Sequence, residues 1–152
     1  MENSSQVPDK ILDGLYLAGA NVARNHMALR KRGITHVLTV ADIPPPWPDK
    51  FKYRQISVAD ESQTDLLSRF EEAHQFIDEA RGAGGAILVH CAAGVSRSAT
   101  IVISYVMRED GKTYEEAFDF VKEKRSVVCP NRGFVEQLQK WEQTLAQQEK
   151  KK

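Results

Sequence analysis

The chain is poor in cysteine: Cys91 and Cys129 are the only two in 152 residues. Two lone thiols cannot build a disulfide scaffold and lack the paired spacing of a zinc site, so a reduced, chemically active thiol becomes the reading to test. Charge of one sign is also lacking. The 21 basic residues balance 21 acidic ones, so no global positive field exists to hold nucleic acid by counterion release, and any anion site has to be local. No apolar run reaches membrane-spanning length, and the opening MENSSQVPDK lacks the apolar stretch of a signal peptide. These absences lead us to expect a soluble, intracellular protein that binds neither nucleic acid nor membrane; our expectation is a monomer in the cytoplasm, with the nucleus as a further location.

What is present suits one domain with one buried core. Residues 1–9 read as a flexible segment, 10–146 as the domain, and Gln147–Lys152 as a polar tail that frays. Apolar runs at Ile11–Leu17, His36–Val40, Tyr53–Val58 and Ala86–Val89 read as strands. Between them lie helical patterns, and that alternation predicts an α/β domain with a central mixed sheet flanked by helices. After Asp65, residues Leu66, Phe70, Ala73, Ile77 and Ala80 recur at helical spacing until Gly82, Gly84 and Gly85. The run Ala99–Met107 is apolar on nearly every side, as suits a central buried helix. Thr113 and Glu116 have capping-box spacing for a helix to about Lys124. Pro130-Asn131-Arg132-Gly133 introduces a last helix through Leu145, and the proline run from Pro44 to Pro48 is a loop.

The chemistry concentrates in His90-Cys91-Ala92-Ala93-Gly94-Val95-Ser96-Arg97-Ser98, which joins a buried strand to the buried helix. A strand-loop-helix turn of this kind aims successive backbone N–H groups and a helix N-terminus at one point, where a tetrahedral oxyanion fits. Gly94 lets the backbone approach closely, and Arg97 supplies a planar fork to two phosphate oxygens. A core thiol is the common fate of a lone cysteine. Here the His before it, the Gly at the third intervening position, the Ser after the Arg and the strand/helix context together favour catalysis by Cys91.

These residues resemble the signature of the dual-specificity protein phosphatases, His-Cys-x-x-Gly-x-x-Arg-Ser/Thr, within the cysteine-dependent phosphatase superfamily. Gly14-Leu15-Tyr16-Leu17, Gly33-Ile34-Thr35-His36-Val37-Leu38, the Asp60 region, Ser104-Tyr105-Val106-Met107 and Pro130-Asn131-x-Gly133-Phe134-x-x-Gln137-Leu138 follow in family order. The resemblance covers roughly residues 10–142. It is nearest the compact, atypical members, and Thr39-Val40-Ala41 is similar to plant and algal ones.

The resemblance implies roles residue by residue. Cys91 attacks phosphorus; Arg97 and the loop from Ala92 through Ala93, Gly94, Val95 and Ser96 hold the phosphoryl oxygens; Ser98 hydrogen-bonds the departing thiolate. His90 supports the cysteine rather than acting as a general base. Asp60, 31 residues before the cysteine, occupies the general-acid position, with Glu61 less well placed and Asp65 a helix cap. Asn131 reads either as support for the phosphate loop or as a plain N-cap. Arg125 reads as a solvated surface residue, Cys129 as a small packed one, and Trp47 and Trp141 as packing. Thr39 stands where the family usually has Asn, which questions one loop-supporting hydrogen bond. No metal or cofactor is implied, because amides and a guanidinium take the place of a cation. The implied substrates are phosphoproteins, with mitogen-activated protein kinases among the candidates. Two rivals share the cradle: a phosphoinositide or RNA phosphatase, disfavoured by the neutral Ala92, Ala93, Val95 and Ser96, and a phospho-binding scaffold, disfavoured because Cys91, Arg97 and Asp60 are all present.

Overall fold

The computed structural model describes residues 6–150. Five strands, β1 (Asp9–Leu12), β2 (Leu15–Ala18), β3 (Ile34–Thr39), β4 (Lys52–Gln55) and β5 (Ala86–His90), form one sheet in the order β1-β2-β5-β3-β4. Only β1 is antiparallel to its neighbour; β2, β5, β3 and β4 run parallel, which makes the sheet mixed as expected. Central β5 is buried at every residue. Its side chains alternate between two faces, as strand geometry requires. Ile87 and Val89 pack with Phe70, Val102, Phe134 and Trp141 from the large helical layer, whereas Ala86 and Leu88 face Val22, Ala23 and Leu29 of two short helices.

Those short helices are α1 (Ala20–Ala23) and α2 (His26–Lys31); the large layer holds α3 (Phe70–Gly82), α4 (Arg97–Asp110), α5 (Tyr114–Lys124) and α6 (Arg132–Lys150). α4 is buried from Ser98 to Met107, the central helix its composition predicts. α5 opens on the expected capping box: Glu116 N–H donates to Thr113 Oγ1 at 3.2 Å, and Thr113 N–H to Glu116 Oε1 at 2.9 Å. Among the described residues no helix is long and apolar enough to cross a membrane.

Three elements depart from the sequence reading. The single strand expected over Ile11–Leu17 is a hairpin, β1 turning into β2 at Asp13-Gly14, where Gly14 has φ +81°. The strand expected to reach Val58 stops at Gln55, because β3 ends at Thr39; Ile56 N–H makes the last bond across, to Thr39 O at 2.8 Å. The polar end of the chain stays helical through Lys150. Gln, Glu and Lys propagate an existing helix well, since its costly nucleus is already formed. Of the segment read as flexible, residues 1–5 lie outside the described part, Pro8 is buried and Asp9 begins β1; residues 151–152 also lie outside it.

Candidate active site

Every parallel strand delivers its following loop to the same edge of the sheet, the edge where open α/β sheets bind ligands. After β2 comes α1, after β3 the proline loop, after β4 the loop of Asp60, and after β5 the loop from Cys91 to Ser96.

The Cys91–Ser96 loop is held from outside by its carbonyls. Cys91 O accepts from His90 Nδ1 (3.2 Å), Ala92 O from Ala20 N–H (2.9 Å), Ala93 O from Arg125 Nη2 (3.0 Å) and Gly94 O from Arg125 Nε (2.9 Å). Val95 O accepts from Cys129 N–H (2.7 Å), and Ser96 O from Thr100 N–H (2.9 Å) and Thr100 Oγ1 (2.7 Å). A trans peptide directs its N–H opposite to its C=O. With each carbonyl from Cys91 to Ser96 turned outward, the N–H groups of Ala92 to Arg97 turn inward, into an anion nest at the start of α4. Gly94 makes the turn possible: its φ is +68°, and a Cβ there would lie 2.6 Å from the Ala18 carbonyl.

The side chains match that nest. Cys91 is buried, its Sγ 3.0 Å from the Oγ of fully buried Ser98. Arg97 donates through Nη1 to Val58 O at 3.1 Å, while its Nε is buried and has no hydrogen-bond partner among the described residues. That guanidinium therefore retains an unused donor. Positive charge is thus supplied locally to a chain without net charge.

Behind the loop, burial pushes the His90 ring down to about 4, so the ring is neutral at physiological pH. The Cys91 carbonyl can only accept, which puts the proton on Nδ1; Nε2 then accepts from Thr39 Oγ1, 2.9 Å away. Both nitrogens are engaged, leaving none to act as a base. The hydrogen bond questioned at Thr39 is made by its hydroxyl.

Asp60 is exposed and tied to the loop through one residue. Asn131 Nδ2 donates to Asp60 Oδ1 (2.9 Å), Asn131 N–H donates to Ser96 Oγ (2.9 Å), and Asn131 Oδ1 accepts from Phe134 N–H (2.9 Å). The N-cap and the loop support are one arrangement. Glu61 accepts from Gln63 Nε2 (2.7 Å), and Asp65 Oδ1 caps Ser68 N–H (3.1 Å) at a short 3-10 turn, Leu67–Arg69.

Some of these positions were not legible as functional. Arg125 is no solvated residue: its side chain is 17% exposed, and besides the loop carbonyls it pairs Asp9 Oδ2 at 3.0 Å. An arginine 34 positions beyond the cysteine gives no local signal of that. Cys129 presents an exposed thiol rather than a packed one and contributes its backbone. Gln137 was detectable in principle, as a polar residue interrupting the apolar α6 face of Phe134, Leu138 and Trp141. Trp141 packs as expected, with Nε1–H on Ser104 O at 3.1 Å, and Trp47 packs edge-on to His26.

Residues 15–144 match the family described as dual specificity phosphatase, catalytic domain. The chain is 44% identical over 137 residues to Dual specificity protein phosphatase 1B of Arabidopsis thaliana, covering 90% of this chain and 82% of that one. It is 46% identical over 142 residues to MAP kinase phosphatase with leucine-rich repeats protein 1 of Dictyostelium discoideum, covering 93% of this chain but spanning only 17% of that relative's length. Among solved structures it superposes on human DUSP28 with a TM-score of 0.88 at 35% identity, covering 92% of this chain and 99% of that one.

Proposed function

The chain belongs to the dual specificity phosphatase family, and from its site we propose that it hydrolyses phosphotyrosine and phosphoserine/phosphothreonine in proteins through a phosphocysteine on Cys91. The observation that carries this reading is the outward bonding of every carbonyl from Cys91 to Ser96, which leaves an amide nest around the thiol.

The thiolate of Cys91 attacks phosphorus while the nest and Arg97 neutralise charge on the three non-bridging oxygens. The bond from phosphorus to the side-chain oxygen breaks, and that oxygen takes a proton from the Asp60 carboxyl. Water then attacks the phosphocysteine and gives a proton to the Asp60 carboxylate. The S–P bond breaks and the electron pair returns to Sγ, where the Ser98 hydroxyl donates to it across 3.0 Å. Phosphate leaves. His90 and Asn131 act by holding the loop and the acid.

Phosphoproteins are the substrate class; mitogen-activated protein kinases are the finer proposal, supported by the name of the Dictyostelium relative. A thiolate nucleophile needs a reducing compartment, which supports action in the cytoplasm and nucleus. The test is Cys91→Ser. Turnover of a phosphothreonine peptide should fall below detection while vanadate binding persists, since the nest is backbone. Substantial residual hydrolysis would overturn the covalent mechanism, and phosphoproteins retained by the variant would identify the substrates.

A further inference from the structure

The loop that carries Asp60 has little purchase on the sheet. Between Ile56 and Leu66, both fully buried, the chain forms no helix or strand, and Asp60, Glu61 and Ser62 are exposed. What fixes its far side is α6. Gln137 Nε2 donates to Thr64 O (2.8 Å), and Gln137 Oε1 accepts from both Leu66 N–H and Leu67 N–H (2.8 Å each). One turn earlier on the same helix face, Gly133 touches the loop directly: a Cβ there would lie 1.8 Å from Ser62 O. Asn131, two residues before Gly133, holds Asp60 itself.

We propose that Gln137 is a positioning residue for the general-acid step, its amide fixing the loop whose approach Gly133 permits, so that Asp60 meets the departing oxygen. The proposal rests on Asp60 as the acid. Three hydrogen bonds from one planar amide define both the position and the orientation of the chain four to seven residues beyond Asp60, and the bond from Asn131 defines the carboxylate end. A general acid must come within hydrogen-bond reach of the oxygen it protonates, and ~1 Å of misplacement can cost ~10²-fold. Among the described residues no hydrogen bond joins Cys91 to Gln137, so loss of the Gln137 bonds selectively slows substrates that need protonation. An alkoxide leaving group needs it; p-nitrophenolate does not.

The experiment compares single-turnover rates on a phosphothreonine peptide and on p-nitrophenyl phosphate for Gln137→Met, Gln137→Glu and Asp60→Asn. Gln137→Met removes all three bonds; the peptide rate should fall by ~10- to 10²-fold, the p-nitrophenyl phosphate rate by less than about threefold, and the basic limb of the pH–rate profile should flatten. Gln137→Glu keeps the acceptor for Leu66 and Leu67 and should recover part of the peptide rate. In the Asp60→Asn background Gln137→Met should add no further loss on the peptide. Equal losses on both substrates, or additive losses in the double variant, overturn the proposal. If Gln137→Met does not fold, Gly133→Ala should displace the loop and show the same selectivity, with unselective loss overturning the proposal. Should Asp60→Asn itself be unselective, the acid reading falls and the proposal with it; selectivity in Asp60→Asn without it in the Gln137 variants removes the proposal alone.

Discussion

The two halves of the site are built in opposite ways. The phosphate loop buries Cys91, Gly94 and Ser96 and exposes Ala92 and Ala93; its carbonyls are bonded outward in succession, with support from Ala20, Arg125, Cys129 and Thr100 on several elements. The acid loop is exposed at Asp60, its near side bonded to Arg97 through Val58 O and its far side hung from the start of α6 through Asn131, Gly133 and Gln137. The difference fits the proposed chemistry. A cradle that stabilises a transition state gains from being pre-formed, whereas an acid that later accepts a proton from water needs solvent access. Damage to the first half should therefore slow all substrates alike, and damage to the second should discriminate by leaving group.

Arg97→Lys gives the largest expected break in that comparison after loss of the nucleophile. A point charge cannot reproduce the planar fork, so rates should fall by ~10²–10³-fold. The fall should be the same on phosphothreonine peptide and p-nitrophenyl phosphate, and a loss confined to the peptide would place Arg97 with the acid instead. Arg125→Met comes next. It unbonds the Ala93 and Gly94 carbonyls and leaves Asp9 unpaired, so stability in urea should fall by about 1–3 kcal/mol. Activity should fall about equally on both substrates, by roughly tenfold. Unchanged activity in a stably folded variant would mean that the remaining bonds hold the nest.

The remaining prediction concerns pH and stability rather than rate. Burial lowers His90 to about 4 and His74 to about 3, the latter lodged beside Phe70, Tyr105 and Trp141 with its Nε2 2.8 Å from Ser104 Oγ. The unfolded chain protonates these rings near 6.5 while the folded chain keeps them neutral. Stability is thus complete above about 6.5 and is lost as pH falls toward 4 and 3, by about 2 kcal/mol for each ring between pH 7 and pH 5. His74 lies in the helical layer and His90 behind the phosphate loop, so His74→Phe separates them. Urea unfolding of that variant should keep only the His90 share of the pH dependence; an unaltered slope would remove His74 from the account.

The phosphate loop was legible because its determinants are contiguous: a buried strand, a glycine at the turn and a helix start lie within a dozen residues. The acid position came from spacing and resemblance, and the resemblance also marked Asn131, Gly133 and Gln137 without the bonds they make. Arg125 and Gln137 act on backbone groups 31 and 73 residues away; Gln137 shows locally only as a polar break in the apolar face of α6, and Arg125 leaves no local sign. The helices α1 and α2 are too short for a hydrophobic period to reveal, and the Asp13-Gly14 hairpin signal lay inside what looked like one apolar run.

By itself, then, the sequence determined the elements that carry their own pattern: the continuously apolar β5, the all-round apolar α4, the capping box of α5, and the Cys91 loop between strand and helix. Only the tertiary structure decided where the carbonyls of that loop point, that Thr39 holds His90, and that Asn131 ties Asp60 to the loop. Local patterns encode which face of an element is buried. The direction of a peptide group, and the partner that fixes it, depend on which distant residues packing brings within about 3 Å.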